Sequence, residues 1–221
     1  MIIDCWSDLH TKEPTADEFD VIGDVLVVAG DLLYDPYDVY TYKKMLTAIG
    51  QLPQKHKIVI PGNHDPDAHQ FHQSYLTYFA QDNGVNILID KSTTIDGVKF
   101  YGFPWTTKFG EWNWMHSEKI LERFAAAIDA DVDVLISHGP PSGILDETYN
   151  GLNVGSTELR KRIEVIKPKL VVFGHIHEGH GWVKHDSITY VNAAYGYSRE
   201  QFPPITARIK DGVVDIITET K

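Results

Sequence analysis

A single cysteine, Cys5, stands among 221 residues, so no disulfide can form within the chain, and this fits a reducing, cytoplasmic setting. Long hydrophobic runs are missing too: no apolar stretch nears the ~18 residues needed to cross a bilayer. The first strand-like run, Met1-Ile2-Ile3-Asp4-Cys5, starts at the initiator and leaves no space for a leader, so neither export nor membrane insertion is expected. Positive charge is scarce. Lys and Arg number 20 against 31 Asp and Glu, a formal charge of −11, and Asp17, Glu18, Asp20, Asp24, Asp31, Asp35 and Asp38 have no nearby basic partner after Lys12. A surface of that sign repels a nucleic-acid backbone, whose binding rests on lysine and arginine. A small anion can still be drawn in by a local cation such as a metal ion. Repeats, low-complexity tracts and linker-like stretches are absent as well, and a single domain over residues 1–221 is expected.

What is present is a series of short apolar, β-branched runs: Ile2-Ile3, Val25-Leu26-Val27-Val28, Ile58-Val59-Ile60, Val134-Leu135-Ile136 and Leu170-Val171-Val172-Phe173. Continuous apolarity with β-branching suits strands covered on both faces. Helix-like segments lie between them. Thr15 with Glu18 makes a capping-box pattern, Asp38 is placed to cap Val39 to Gln51, Ser117 opens a segment to Asp129, and Ser156 caps Thr157 to Lys167, which stops before Pro168. Near residues 85–102, and from Trp182 onward, strands follow one another without helices, and Asp96-Gly97 and Asp211-Gly212 read as hairpin turns. An α/β fold accounts for both patterns, a four-layer α/β/β/α sandwich with two central mixed β-sheets.

Each apolar run is followed at once by residues able to bind metal: Asp8 and His10, then Gly30-Asp31, Gly62-Asn63-His64-Asp65, His138-Gly139, and Gly174-His175-Ile176-His177. In open α/β sheets, ligands bind beyond the carboxyl ends of the strands, so five such ends would present these groups to one crevice. Residues two apart on a strand point the same way, and Asp8/His10 and His175/His177 have that spacing. Carboxylate, amide oxygen and imidazole together make neither an all-sulfur structural zinc site nor an all-oxygen magnesium or calcium cage. They suit manganese, iron, zinc, nickel or cobalt. Seven ligands are too many for one ion and suit two divalent transition-metal ions sharing a carboxylate.

With those blocks in place, the sequence resembles the calcineurin-like metallophosphoesterase superfamily over residues 4 to about 194. The family pattern runs Asp-x-His, Gly-Asp, Gly-Asn-His-Asp/Glu, His, Gly-His-x-His, and every element is kept. The resemblance implies one metal on Asp8, His10, Asp31 and His177 and a second on Asp31, Asn63, His138 and His175, with Asp31 bridging. It makes His64 the histidine beside the substrate phosphate, and a metal-bridging hydroxide the nucleophile that attacks phosphorus. His138-Gly139-Pro140-Pro141, Gly174-His175-Ile176-His177-Glu178-Gly179 and Pro203-Pro204-Ile205 are also similar to the small phosphodiesterase branch that includes the brain metallophosphoesterase-domain proteins. One departure is informative. Protein serine/threonine phosphatases continue their Gly-Asp block into Asp-Arg-Gly, whereas this chain reads Gly30-Asp31-Leu32-Leu33-Tyr34-Asp35. The arginine that clamps a phosphomonoester is missing, which points to small phosphodiesters such as nucleotides. A partner for His64 is left to Asp35 or Asp65.

Other readings stay open. A nuclease acting on single-stranded or damaged DNA shares Gly-Asn-His-Asp, a phosphomonoesterase would use the same metals, and a non-catalytic module on this fold would have lost ligands that are all retained here. Substrate contacts are expected from Asn63 and His64, and Arg199 is a further candidate in the loop that also carries Tyr195 and Tyr197. The aromatic segment within residues 101–116 either packs over the sheet edge or stacks on a nucleobase, and it could also serve a homodimer contact. His69 and His72 read as an exposed helix face, His180 as a support to the ligands rather than a ligand, and Arg160-Lys161-Arg162 as a solvated helix surface.

Overall fold

The apolar runs become strands of two six-stranded sheets in a computed structural model that describes residues 1–16, 22–73, 75–196 and 201–218. The first half of the chain forms β1 (Ile2–Trp6), β2 (Val25–Val28), α1 (Val39–Gly50), β3 (His56–Val59), α2 (Ala68–Gln73), α3 (Leu76–Asp82), β4 (Val85–Ile87), β5 (Lys91–Ile95) and β6 (Val98–Phe103). It continues through β7 (Thr106–Thr107), β8 (Met115–His116), α4 (Glu118–Ala126), β9 (Val134–Ser137), α5 (Thr157–Ile166) and β10 (Leu170–Phe173). The last strands are β11 (Gly181–His185), β12 (Ile188–Asn192), β13 (Ile205–Lys210) and β14 (Val213–Ile216).

In the first sheet, ordered β14-β13-β1-β2-β3-β4, the strands β1 to β4 run parallel and the β13–β14 hairpin closes one edge. In the second, ordered β11-β12-β10-β9-β6-β5, four parallel strands are flanked by an antiparallel strand at each edge. Strand alternation sends neighbouring side chains to different cores. Ile3, Cys5, Val25 and Val27 meet Val134, Ile136, Leu170 and Val172 between the sheets. Trp6, Leu26 and Val28 face Tyr42, Met45, Leu46 and Ile49 of α1, while Leu135, Val171 and Phe173 face α4 and α5 through Leu121, Ala125, Leu159 and Ile163. Three cores between four layers explain why β2 (Val25–Val28) and β10 (Leu170–Phe173) are apolar at every position: both faces are dry. Burying each large side chain contributes roughly 1.5–3 kcal/mol.

The helix signals act as expected at two of the four starts. The Asp38 carboxylate accepts from the Thr41 N–H at 2.9 Å and the Ser156 hydroxyl from the Leu159 N–H at 3.2 Å. Ser117 precedes α4 without a side-chain cap, and the Thr15–Glu18 box reaches outside the described residues. Both hairpin turns form, with Asp96-Gly97 and Asp211-Gly212 at positive φ. No described helix is long and apolar enough to cross a membrane.

Candidate metal centre

All the candidate ligands leave the carboxyl ends of parallel strands: Asp8 and His10 after β1, Asp31 after β2, Asn63 after β3, His138 after β9, and His175 and His177 after β10. The strands do not aim them directly. Asp8, His10, Asp31 and His175 all adopt left-handed backbone, at φ 55°, 43°, 55° and 68°. Such conformations cost on the order of 1–3 kcal/mol each for non-glycine residues and gather at functional sites. Backbone bonds hold the turns: the Asp8 N–H donates to the Gly30 carbonyl at 2.9 Å and the His10 N–H to the Asp31 carbonyl at 3.1 Å. At Gly174 the approach is close enough that a Cβ would collide with the Asp8 carboxylate and the Ser7 side chain.

Two ligand groups result. In the first, Asp8, His10 and His177 bring one donor atom each within 4.8 Å of the others, and in the second Asp31, His138 and His175 do the same. The Nε2 atoms of His10 and His177 are 3.4 Å apart, and that of His177 lies 3.3 Å from Asp8 Oδ1. His138 Nε2 lies 2.9 Å from Asn63 Oδ1 and 3.4 Å from Asp31 Oδ1, which adds Asn63 to the second group. His10 Nδ1–H donates to the Leu33 carbonyl and His138 Nδ1–H to the Ala29 carbonyl, each at 2.8 Å. A carbonyl can only accept, so Nδ1 carries a proton in both rings, and Nε2 is the atom turned to the centre that a metal would take.

The electrostatics point to missing positive charge. Asp8 and Asp31 are almost fully buried, at 0% and 2% exposure, a placement that is very costly without a cationic partner. Burial alone would lower His138, yet the Asp31 carboxylate beside it lifts that ring to about 9. His177 is likewise raised, because its bond to Asp8 outweighs burial. Asp8 and Asp31 are lowered in turn: the neighbouring imidazoles overcome the desolvation that would raise them. Burial, followed by repulsion from His138, pushes His175 down to about 4, and burial lowers His10. Protons thus supply the charge that divalent cations would supply better. Carboxylates, an amide oxygen and imidazoles form a donor set that fits such ions.

The sequence profile of the calcineurin-like phosphoesterases matches residues 1–179. The chain belongs to that family. Metallophosphoesterase domain-containing protein 1 of Homo sapiens is 36% identical over 217 residues, covering 86% of this chain and 64% of that protein, so the chain spans less than two thirds of the relative. A UPF0046 protein of Caenorhabditis elegans, C25E10.12, is 35% identical over 209 residues, covering 86% of this chain and 73% of its own length. The crystal structure of TT1561 of Thermus thermophilus superposes with a TM-score of 0.63 at 18% identity, over 86% of this chain and 88% of that one, a likeness of fold. As a member of the calcineurin-like phosphoesterases, the chain carries two residue groups able to hold a metal ion.

The structure brings together every ligand candidate, but strand spacing does not explain how. His175 joins Asp31 and His138 while His177, two residues on, joins Asp8 and His10. They lie past the end of β10, in a left-handed turn and a one-turn 3-10 helix, so strand alternation does not aim them. Neither Asp35 nor Asp65 holds His64: its Nδ1 is 2.7 Å from the Tyr34 carbonyl. Asp35 instead accepts from the Tyr37 N–H. Asp65 accepts the N–H groups of Leu32, Leu33 and Gly62 at 2.9, 3.2 and 2.8 Å, tying the Asp31 and Asn63 turns together. Burial, then the Asp31 charge, raises Asp65 well above the usual carboxylate range.

Sequence reasoning missed Tyr34, whose ring stacks on His10 at 4.6 Å, and Glu178, which lines the site cavity with Phe109 and Trp112. The aromatic segment divides between packed and exposed rings. Trp105 and Trp114 pack inward, whereas Phe109 and Trp112 stand 65% and 42% exposed over the site, 5.5 Å from the His175 ring and 4.3 Å from the His64 ring. His69 and His72 are exposed, and His180 bonds the Ala194 carbonyl without lining the cavity. Arg160 and Lys161 pair with Glu164 and Glu158 on the surface of α5, but Arg162 reaches the Ile128 carbonyl and tethers α5 to the end of α4. Arg199 and Tyr197 lie outside the described residues.

Proposed function

We propose that the chain is a dinuclear phosphodiesterase acting on small phosphodiesters such as nucleotide esters, with Asp31 shared by two divalent ions, manganese foremost. The carrying observation is that the triads Asp8/His10/His177 and Asp31/His138/His175 lie in one cleft, with Asp31's charge acting on the rings of both. Ions held there would acidify a water and offset charge on the phosphoryl oxygens. Asn63, 2.9 Å from His138, is placed to complete the second group. His64 is no ligand in this reading. Its Nδ1–H is committed to the Tyr34 carbonyl, which leaves Nε2 to hold a proton beside the leaving oxygen.

The choice of diester follows from the rim. The described residues lining the 360 Å³ site cavity include no Arg or Lys, and Glu178 adds a negative charge. A phosphomonoester dianion finds no cationic side chain among those described residues, while a diester, with one charge, needs less. A lone buried Cys5 accords with a reducing, cytoplasmic setting. The test compares bis-nitrophenyl phosphate, nitrophenyl phosphate and single-stranded DNA as substrates of protein assayed for bound manganese, zinc and iron. The diester should be cleaved fastest, by about tenfold or more in kcat/KM. A monoester preference would refute the diester reading, efficient salt-sensitive DNA cleavage would favour a nuclease, and inertness with every metal would leave a non-catalytic module.

A further inference from the structure

Three open spaces lie side by side along the cleft. The central one belongs to the candidate metal centre. On one side a space of about 590 Å³ shares Phe109 and His175 with it and extends over Thr107, Leu152, Val154 and Ile176. On the other, a space of about 450 Å³ shares Trp112 with it and is walled by Tyr34 and Tyr37. The segment between β7 and β8 therefore supplies the partition on both flanks, through Phe109 toward the larger space and Trp112 toward the smaller.

The larger space is suited to an uncharged group. Two charged side chains stand in its wall: Glu118 is taken up by hydrogen bonds, and Lys108 is half exposed in a surface pair. Glu118 accepts from the hydroxyls of Thr107, Ser156 and Thr157 at 3.1, 3.1 and 2.8 Å and from the Glu158 N–H at 3.0 Å. Lys108 pairs with Glu111 at 2.8 Å. What remains is the Phe109 ring and the aliphatic surfaces of Leu152, Val154 and Ile176, with polar edges from Asn150 and Asn153. Pockets of roughly 300–1,000 Å³ with apolar walls and a few polar groups take aryl- to nucleoside-sized ligands.

The two flanks are not equivalent, because His64, which lines the central space, is held from the side of one of them. Its ring lies against Trp112 and its Nδ1 is bonded to the Tyr34 carbonyl, and both residues wall the smaller space. A proton donor must stand beside the oxygen that departs. The group that leaves is thus directed toward Tyr34 and Trp112, and the ester group that stays on phosphorus falls across Phe109 and His175.

Resting on the diesterase reading above, we propose that the space bounded by Phe109, Leu152 and Val154 binds the retained ester group of the substrate, an uncharged group of aryl to nucleoside size. The Tyr34–Trp112 side receives the alcohol that leaves. The reaction is a hydrolysis: water adds to phosphorus, the bond to the departing oxygen breaks, and that oxygen takes a proton.

The experiment holds the leaving group constant and varies the retained one. Manganese-loaded protein is assayed on the nitrophenyl diesters of methyl, phenyl and thymidine 5′-phosphate, and calorimetry measures binding of methylphosphonate and phenylphosphonate. Burial of an aryl group in this space should raise kcat/KM for the phenyl and thymidine esters roughly tenfold to a hundredfold over methyl. Leu152→Asp, at a position 62% exposed where folding is tolerant, should bring that ratio and the phosphonate affinity ratio toward one. Trp112→Ala should leave both ratios in place. Equal rates on the three esters, or ratios that respond to Trp112→Ala instead of Leu152→Asp, would overturn the assignment. Failure to cleave any of the three would sink the diesterase reading and the leaving-group side, while the phosphonate ratio in the two variants would still decide what the larger space binds.

Discussion

Asp31 carries the heaviest demands in the molecule. It occupies a left-handed backbone position, is 2% exposed, accepts the His64 N–H at 2.8 Å and lies 3.4 Å from His138. Replacing it by asparagine removes the charge shared by both triads, so Asp31→Asn is expected to lose at least one metal per chain and nearly all turnover. His64→Ala removes a group bonded to Tyr34 and to no ligand side chain, so metal content should be kept while kcat falls about 10²–10⁴-fold, the usual worth of a positioned proton donor. Elemental analysis beside steady-state kinetics checks both, and full metal occupancy in Asp31→Asn would remove the case for a shared carboxylate. At this scale the sequence pointed to the candidate ligands, since each followed an apolar run. It did not show that a backbone carbonyl from Tyr34, rather than a carboxylate, would hold His64, because carbonyls leave no mark in side-chain identity.

At the scale of elements, β1, β2, β9 and β10 were legible as short continuous apolar runs, because both faces of each strand are covered. The turns that follow them were not, since five non-glycine residues there, from Asp8 to His175, take positive φ for reasons set by distant partners. The aromatic segment shows the same limit: spacing did not say that Trp105 would turn inward and Trp112 outward. Trp105 is fixed by its indole N–H, which donates to both carboxylate oxygens of Asp90 at 3.0 and 2.8 Å and so ties the start of β5 to the end of β6. Burial raises Asp90 from 3.8 to about 6, with the Trp105 bond pulling partly the other way. The folded form therefore binds this proton more tightly than the unfolded chain does, and the associated stability falls as pH rises from 3.8 to about 6, then levels off. Asp90→Asn should remove that component. Melting temperatures of metal-free wild type and variant across the same window would show it as a difference in slope, and parallel curves would refute it.

For the whole molecule, the candidate metal centre joins the two sheets. The two triads draw residues from both sheets, with His138 of the second sheet bonded to the Ala29 carbonyl of the first, so ions bound there would hold the sandwich closed across its core. A ligand that binds the folded state at about 100 times its Kd contributes ~2.7 kcal/mol, which for a domain of this size is roughly 5–10 °C in Tm. Chelation should lower the melting temperature by that order and restored manganese should recover it; a Tm indifferent to chelator would argue that the site binds no ion. The sequence by itself determined the layer architecture and the inventory of candidate ligands, because burial on both strand faces and side chains able to bind metal are properties of residue type and order. Tertiary structure alone decided the pairing of ligands into triads, the carbonyl that orients His64 and the two unlike spaces beside the centre. Those depend on contacts between segments as far apart as residues 8 and 177, and one chain's sequence records no such distance.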